Sequence, residues 1–225
     1  MREYTVQFIK SCGRDQPKIT QAYLTLREDL NIDINDVDDS GRTAAVTAAR
    51  ASKMKSIRML AATGMVDWNK VDWSGTSPLH LAMYNGHAGI ASIILQDDNV
   101  NLGLKTRDGA TVGMAAVIGG NMDCVRTLAQ MEYFHFWNIS NNLGVTPLME
   151  AIMTGKRNIF KSLIDCPRVD INLQDKDGNS PLMSAIKEGE TIMAKLMIRC
   201  SRVDLSTRDK NGASLQRISR WGELK

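Results

Sequence analysis

Residues Asp72 to Leu95 read D-W-S-G-T-S-P-L-H-L-A-M-Y-N-G-H-A-G-I-A-S-I-I-L. Each part carries a backbone instruction. Asp72 and Gly75 mark a tight turn, because aspartate bonds to nearby backbone and glycine accepts positive φ. Ser77 before Pro78 is a helix start, since proline is favoured at the first helical position. Leu79, Ala82 and Met83 then share one face at helical spacing. Gly86 ends that helix from the position just past it. Ile90, Ala91, Ile94 and Leu95 make the apolar stripe of a second helix. The unit is turn, helix, turn, helix.

The unit recurs along the chain. Turn glycines stand at Gly41, Gly75, Gly109, Gly144, Gly178 and Gly212, 34 residues apart except for one step of 35. Seven residues after each come Ala48, Ala82, Ala116, Ala151, Ala185 and finally Ser219. Eleven after it come Ser52, Gly86, Gly120, Gly155 and Gly189, and nineteen after it Leu60, Ile94, Leu128, Leu163 and Met197. Small, turn and apolar residues held in phase at such a period are a solenoid signature.

On these columns the chain resembles the ankyrin-repeat proteins. The resemblance runs from about Ile32 to Trp221, with Asp72 to Ala82 as its closest stretch. It implies an all-α solenoid of stacked helix-turn-helix units with short finger loops or hairpins. It implies a single elongated domain: capping helices at 1–31, five repeats over 32–207 and a partial capping repeat at 208–225.

Composition agrees with a soluble array. Of 225 residues 43% are hydrophobic, enough for a continuous core. The 28 basic and 25 acidic side chains leave a net charge of +3, too balanced to argue for nucleic acid. No apolar run reaches bilayer length, and M-R-E-Y-T-V-Q-F-I-K-S-C lacks the apolar segment of a secretion signal. The expectation is an intracellular, cytoplasmic protein, with the nucleus as the alternative address. Cys12, Cys124, Cys166 and Cys200 form no C-x-x-C pair and read as free thiols.

In the cap, Phe8, Ile9 and Cys12 predict one short helix. Ile19, Ala22, Tyr23 and Leu24 predict a second, begun by Pro17. The first full repeat departs from the pattern, with Ala44-Ala45 in place of Pro-Leu and Ser52 in place of the helix-ending glycine. The third reads as weakened, with Val112-Gly113 for Pro-Leu and a loose Gly119-Gly120 turn. On that reading the weak unit divides unfolding into two halves, and Gly113→Leu is expected to raise stability. The sixth begins at Arg208 and holds one helix's worth of residues.

The aromatic residues sort by phase. Seven before each glycine stand Ile34, Trp68, Leu102, Trp137, Ile171 and Leu205, all apolar, so Trp68 and Trp137 read as core. Two before it stand Asp39, Trp73, Arg107, Asn142, Lys176 and Lys210. Trp73 breaks that polar column at a finger tip, which suggests a contact site; the plainer reading is packing on a neighbouring tip.

The resemblance implies a recognition surface over the finger tips and the inner face of the first helices. The matching positions put Trp73, Tyr84, Ile118, Leu143, Val145 and Met153 at its centre. Arg42 and Arg50 lie at one end, and Lys176, Lys187 and Lys210 at the other. Such a groove suits an extended peptide or protein edge with large apolar anchors and acidic flanks. The plainer reading is that the apolar residues only pack between repeats.

Enzyme readings fail on inventory. The sequence has no G-x-S-x-G, P-loop or H-E-x-x-H, and no cysteine–histidine spacing fit for a metal. No cofactor is implied. His80 and His87 fall at structural positions of the family, and Met114, Met149 and Met183 read as packing filler. The expected function is a protein-binding adaptor or scaffold without catalysis. The alternatives are the substrate receptor of a larger assembly such as a ubiquitin ligase, and a methyl-lysine reader caged by two tryptophans. Neither nucleic acid nor a membrane is an expected partner.

Overall fold

The computed structural model describes residues 2–14, 16–131 and 134–215. It divides into two compact units, Met1–Arg107 and Asp108–Lys225.

The first unit holds α1 (Arg2–Gly13), α2 (Pro17–Thr25), α3 (Ala44–Arg50), α4 (Met54–Ala62), α5 (Pro78–Tyr84) and α6 (Ala88–Ile94). Helices α1, α3 and α5 pack side by side as an inner row, with α2, α4 and α6 behind them. The second unit repeats the plan. There α7 (Val112–Gly119), α9 (Pro147–Met153) and α11 (Pro181–Lys187) form the inner row. Helices α8 (Met122–Ala129), α10 (Arg157–Asp165) and α12 (Thr191–Ile198) form the outer one, and a 3-10 turn spans Phe134–Asn138. Among the described residues no strand forms beyond isolated bridges such as Arg208 with Ser214.

The phased columns explain the stacking. The column alanines Ala48, Ala82, Ala116, Ala151 and Ala185 are all at 0% exposure, where a larger side chain would force neighbouring inner helices apart. Each inner helix from α3 onward starts on a buried hydroxyl. Thr43, Ser77, Thr111, Thr146 and Ser180 accept the backbone N–H three residues on, which satisfies a donor the helix leaves open. The cap so formed is why α3 and α7 begin on schedule without the proline that starts α5, α9 and α11.

Several expectations need correction. In α2, Ile19 is exposed and Ala22 points outward; Thr20 is buried instead, its hydroxyl 3.0 Å from that of Ser11. Trp68, Trp137, Ile34 and Ile171 are buried as the phase predicts, but Leu205 is 49% exposed. The third repeat is not hollow. Val112 through Val117 are buried without a break, so α7 is fully packed. Gly113 sits against Pro147, Trp137 and the Phe136 carbonyl, so that an added Cβ would be tight and a larger side chain would have to displace them. This packing argues for the opposite sign of Gly113→Leu, a loss of stability. Of the partial sixth repeat, the turn at Asp209 to Gly212 is formed; Ser219 and Trp221 lie outside the described residues.

Candidate binding surface

The finger tips are built on one repeated aspartate device. Three residues before the turn glycine, the Oδ1 of Asp38, Asp72, Asn141, Asp175 and Asp209 accepts two backbone N–H groups across the turn. Thr106 stands in that place in the third repeat. The tips are then tied in series: the N–H of Arg107 donates to the Ser74 carbonyl, that of Lys176 to Leu143 and that of Lys210 to Asp177, at 2.8–2.9 Å. At these three tips the backbone of the residue two before each glycine lies over the preceding glycine; at Gly41 it is a side chain that does so. Trp73 takes that place above Gly41, where φ is +71° and an added Cβ would lie 2.5 Å from the indole Nε1.

Trp73 is thus both things at once. One edge of the ring lies on a neighbouring tip, and 63% of the residue remains exposed. Tyr84, at the end of α5, is 56% exposed. The first unit's two basic candidates are already engaged. Arg42 reaches Asp38 through Nε and Nη2 at 3.0 and 2.8 Å, and Arg50 Nη2 lies 2.8 Å from Asp72 Oδ2. Burial pushes the Asp72 carboxyl upward, but bonds from Ser74 and Thr76 and the charge of Arg50 outweigh it and hold its pKa below the ordinary range. Trp68 is buried, so the two tryptophans of this finger do not share a surface and form no cage.

The second unit gathers five of the sequence-predicted residues. Leu143, Val145, Met153, Lys176 and Lys187 line one pocket of about 280 Å³ with Asp175, Asp177, Asn179, Ser184 and Glu188. Leu143 and Met153 are more than half exposed. Val145 is 8% exposed and packs on Met114 and Met149, so it presents little surface of its own at the base of the pocket. Ile118 is half-buried and lies outside this pocket.

One set of structural residues escaped the sequence reading. Asn35, Asn69, Asn138 and Asn172 each donate Nδ2 to a carbonyl of the following repeat and accept an N–H from it through Oδ1. The signal was present as asparagine in constant phase. Gly103 occupies that phase in the third repeat, so the bridge has no side chain there.

Nothing in this surface suggests chemistry. His80 is buried with Nδ1 2.8 Å from Ser77 Oγ, and the His87 ring bonds Ser52 Oγ. Burial lifts the Cys12 thiol to about 12 and the Cys124 thiol to about 11, which leaves both protonated and poorly nucleophilic. Among the described residues no cluster of His, Cys, Asp and Glu could hold a metal, and no helix is long and apolar enough to cross a membrane.

The family model for ankyrin repeats (3 copies) matches residues 9–106 and 98–175, well over half of the chain. The chain belongs to the ankyrin-repeat family. Such repeats are generally non-catalytic protein-interaction modules. Among curated proteins it is similar to human Rabankyrin-5, 24% identical over 153 residues, which are 64% of this chain and 13% of that protein. It is also similar to the putative ankyrin repeat protein YahD of Escherichia coli (strain K12). There the identity is 29% over 135 residues, 60% of this chain and 66% of the relative. The match thus spans less than two thirds of either relative. Among solved structures, the ankyrin repeat domain of Bcl-3, of the IkappaB protein family, superposes with a TM-score of 0.85 at 16% identity over 96% of both chains. That likeness is one of fold.

Glu150 gives a test of the inner-helix face. It is half-buried on α9, and burial raises its pKa. A carboxyl raised in the folded state contributes stability below its unfolded pKa and loses it as pH rises through the folded pKa. Glu150→Gln is therefore expected to raise the melting temperature at pH 7, with the gain shrinking towards pH 4. Thermal melts across that range check both the sign and the trend.

Proposed function

We propose that this ankyrin array is a protein-interaction module of the cytoplasm, an adaptor or scaffold that binds an extended peptide or protein edge along its finger tips and inner helices. The observation that carries the reading is exposure of large apolar side chains at these positions: Trp73 and Tyr84 in the first unit, Leu143 and Met153 in the second. Large side chains left in water on a rigid scaffold are the usual anchors of an interface. Tyr84 and Met153 stand on helices, and Trp73 and Leu143 on hydrogen-bonded turns, so little ordering is required on binding.

The test is affinity capture by the full chain followed by titration of the captured partner. Trp73→Ala/Tyr84→Ala and Leu143→Asp/Met153→Asp are compared with wild type, each checked for an unchanged melting temperature. At least one pair is expected to weaken binding about tenfold or more, roughly 1.4 kcal/mol. Partners that bind both double variants as tightly as wild type would place recognition elsewhere.

A further inference from the structure

We propose that Glu150, on the inner helices of the second unit, receives a lysine or arginine side chain of the partner, so that the peptide or protein edge bound here carries a basic residue whose stem lies against Met153. The inference rests on the protein-binding reading above and adds to it one contact residue and one feature of the ligand.

Helix α9 sets the place of Glu150. It stands six residues after Gly144, in the column that Thr47, Leu81, Ala115 and Ser184 fill in other repeats. A charge in this column is therefore particular to the fourth repeat. The inner helices packed on either side, α7 and α11, bring Ala115 and Ser184 to the same phase, and neither is a cation. Met153 follows three residues later on the same face of α9 and is 51% exposed.

The carboxylate has no counter-ion. Glu150 is half-buried, and among the described residues its side chain makes neither an ion pair nor a hydrogen bond. Burial is the sole influence on its pKa, and it acts upward, as for a carboxylate with no cation near it. The neighbouring lysines are committed elsewhere. Around the adjoining pocket Lys176 and Lys187 meet three carboxylates, Asp175, Asp177 and Glu188, and Lys210 pairs with Asp177 from the next tip. Lys187 is drawn to Asp177, and its ammonium donates to the Asn179 amide oxygen. No lysine is in surplus there to serve Glu150. The face is left with negative charge that a basic group complements.

A charge held part way out of water without a partner costs stability. The rise in melting temperature expected of Glu150→Gln expresses that cost. A cation brought by the partner offsets it, which suits the residue to binding more than to folding.

The form of the ligand follows. Lysine and arginine carry a charged head on an apolar stem. A stem laid on exposed Met153 brings the head to Glu150, its neighbour on the helix surface. Arginine is the better fit, because its guanidinium is less strongly hydrated and offers a carboxylate two parallel N–H groups.

Panning a phage library of random decapeptides on the full chain tests this. Peptides retained by wild type are expected to be enriched in Arg and Lys, and Glu150→Lys is expected to select Asp and Glu instead. A retained peptide is then made with capped ends and titrated by fluorescence anisotropy. Changing its basic residue to Gln is expected to weaken binding to wild type about tenfold, yet to leave binding to Glu150→Gln unchanged. Wild-type binding is expected to weaken as salt is raised. No basic enrichment overturns the inference, and so does an equal loss in wild type and Glu150→Gln, which would put the base elsewhere. A lower melting temperature for Glu150→Gln without that coupling would assign the carboxylate to the helix dipole, since it lies in the first turn of α9, and overturns it too. If retained peptides lack the base but are lost with Leu143→Asp/Met153→Asp, the inference fails and the protein-binding reading stands. If no peptide is enriched over a bare support, both fall.

Discussion

Gly113→Leu is expected to destabilise the second unit by about 3 kcal/mol, the upper end of what overpacking costs. A Cβ at Gly113 would already lie 3.1 Å from Pro147 Cγ, 3.3 Å from Trp137 Cε3 and 3.4 Å from the Phe136 carbonyl oxygen. Leucine adds three more carbons to that contact, and the neighbours are a proline ring, an indole and backbone, which yield less readily than the end of a flexible side chain. Helix propensity works the other way, since leucine is preferred to glycine by somewhat under 1 kcal/mol in a helix interior. The steric cost exceeds it. For a chain of this size the loss corresponds to roughly 6–12 °C in melting temperature. Differential scanning calorimetry reads it directly, and an unchanged or raised midpoint would mean that α7 moves outward freely. Gly113→Ala, with only the Cβ to place, is expected to come close to neutral.

That position shows what the sequence disclosed and what it concealed. The period was legible because the turn, the cap and the column alanine each need a particular residue type, and those types recur. Helix number and order followed from it. Departures from the pattern were harder to judge, because a missing leucine looks like a lost contact. Placed in phase, however, the residue four after a glycine pairs with the one seven before the next. The pairs are Ala45 with Trp68, Leu79 with Leu102, Gly113 with Trp137, Leu148 with Ile171, and Leu182 with Leu205. A small residue stands wherever the partner is tryptophan. Gly113 is thus half of a volume exchange, visible in the sequence only when two columns are read together. The asparagine bridges were missed for a similar reason: a polar residue near a turn reads as solvated until its partner carbonyl in the next repeat is located.

The binding surface was legible in part. Phase identified which side chains stand on the tips and inner helices, and exposure at Trp73, Tyr84, Leu143 and Met153 follows from that. Phase could not assign charge. Arg42 and Lys176 look alike as exposed cations in a sequence, yet one closes on an aspartate four residues away and the other stands at a pocket rim. Pairing depends on side-chain reach across a turn, which a one-dimensional pattern does not encode. Asp38 and Asp72 do two jobs, bonding the turn with one oxygen and an arginine with the other.

Trp137→Ala carries the largest expected loss, about 3–5 kcal/mol, as for other buried aromatic truncations. Trp137 is 2% exposed, its ring centroid lies 5.0 Å from that of Phe136 at an interplanar angle of 50°, and its six-membered ring covers Gly113. Removing the indole leaves a cavity lined by glycine on one side, where no side chain can lean in to fill it. Hydrogen exchange should then show α7 and α9 losing protection in the second unit ahead of α3 and α5 in the first. The volume exchange makes a sharper prediction. Trp137→Leu and Gly113→Leu each destabilise alone, one by underfilling and one by overfilling the same space. Together they recreate the leucine pair that the second repeat carries at Leu79 and Leu102. The double variant is expected to be more stable than the sum of the singles predicts, by about 0.5–3 kcal/mol, the range found for residues in direct contact. Strict additivity in that cycle would show that Gly113 is small for some reason other than Trp137.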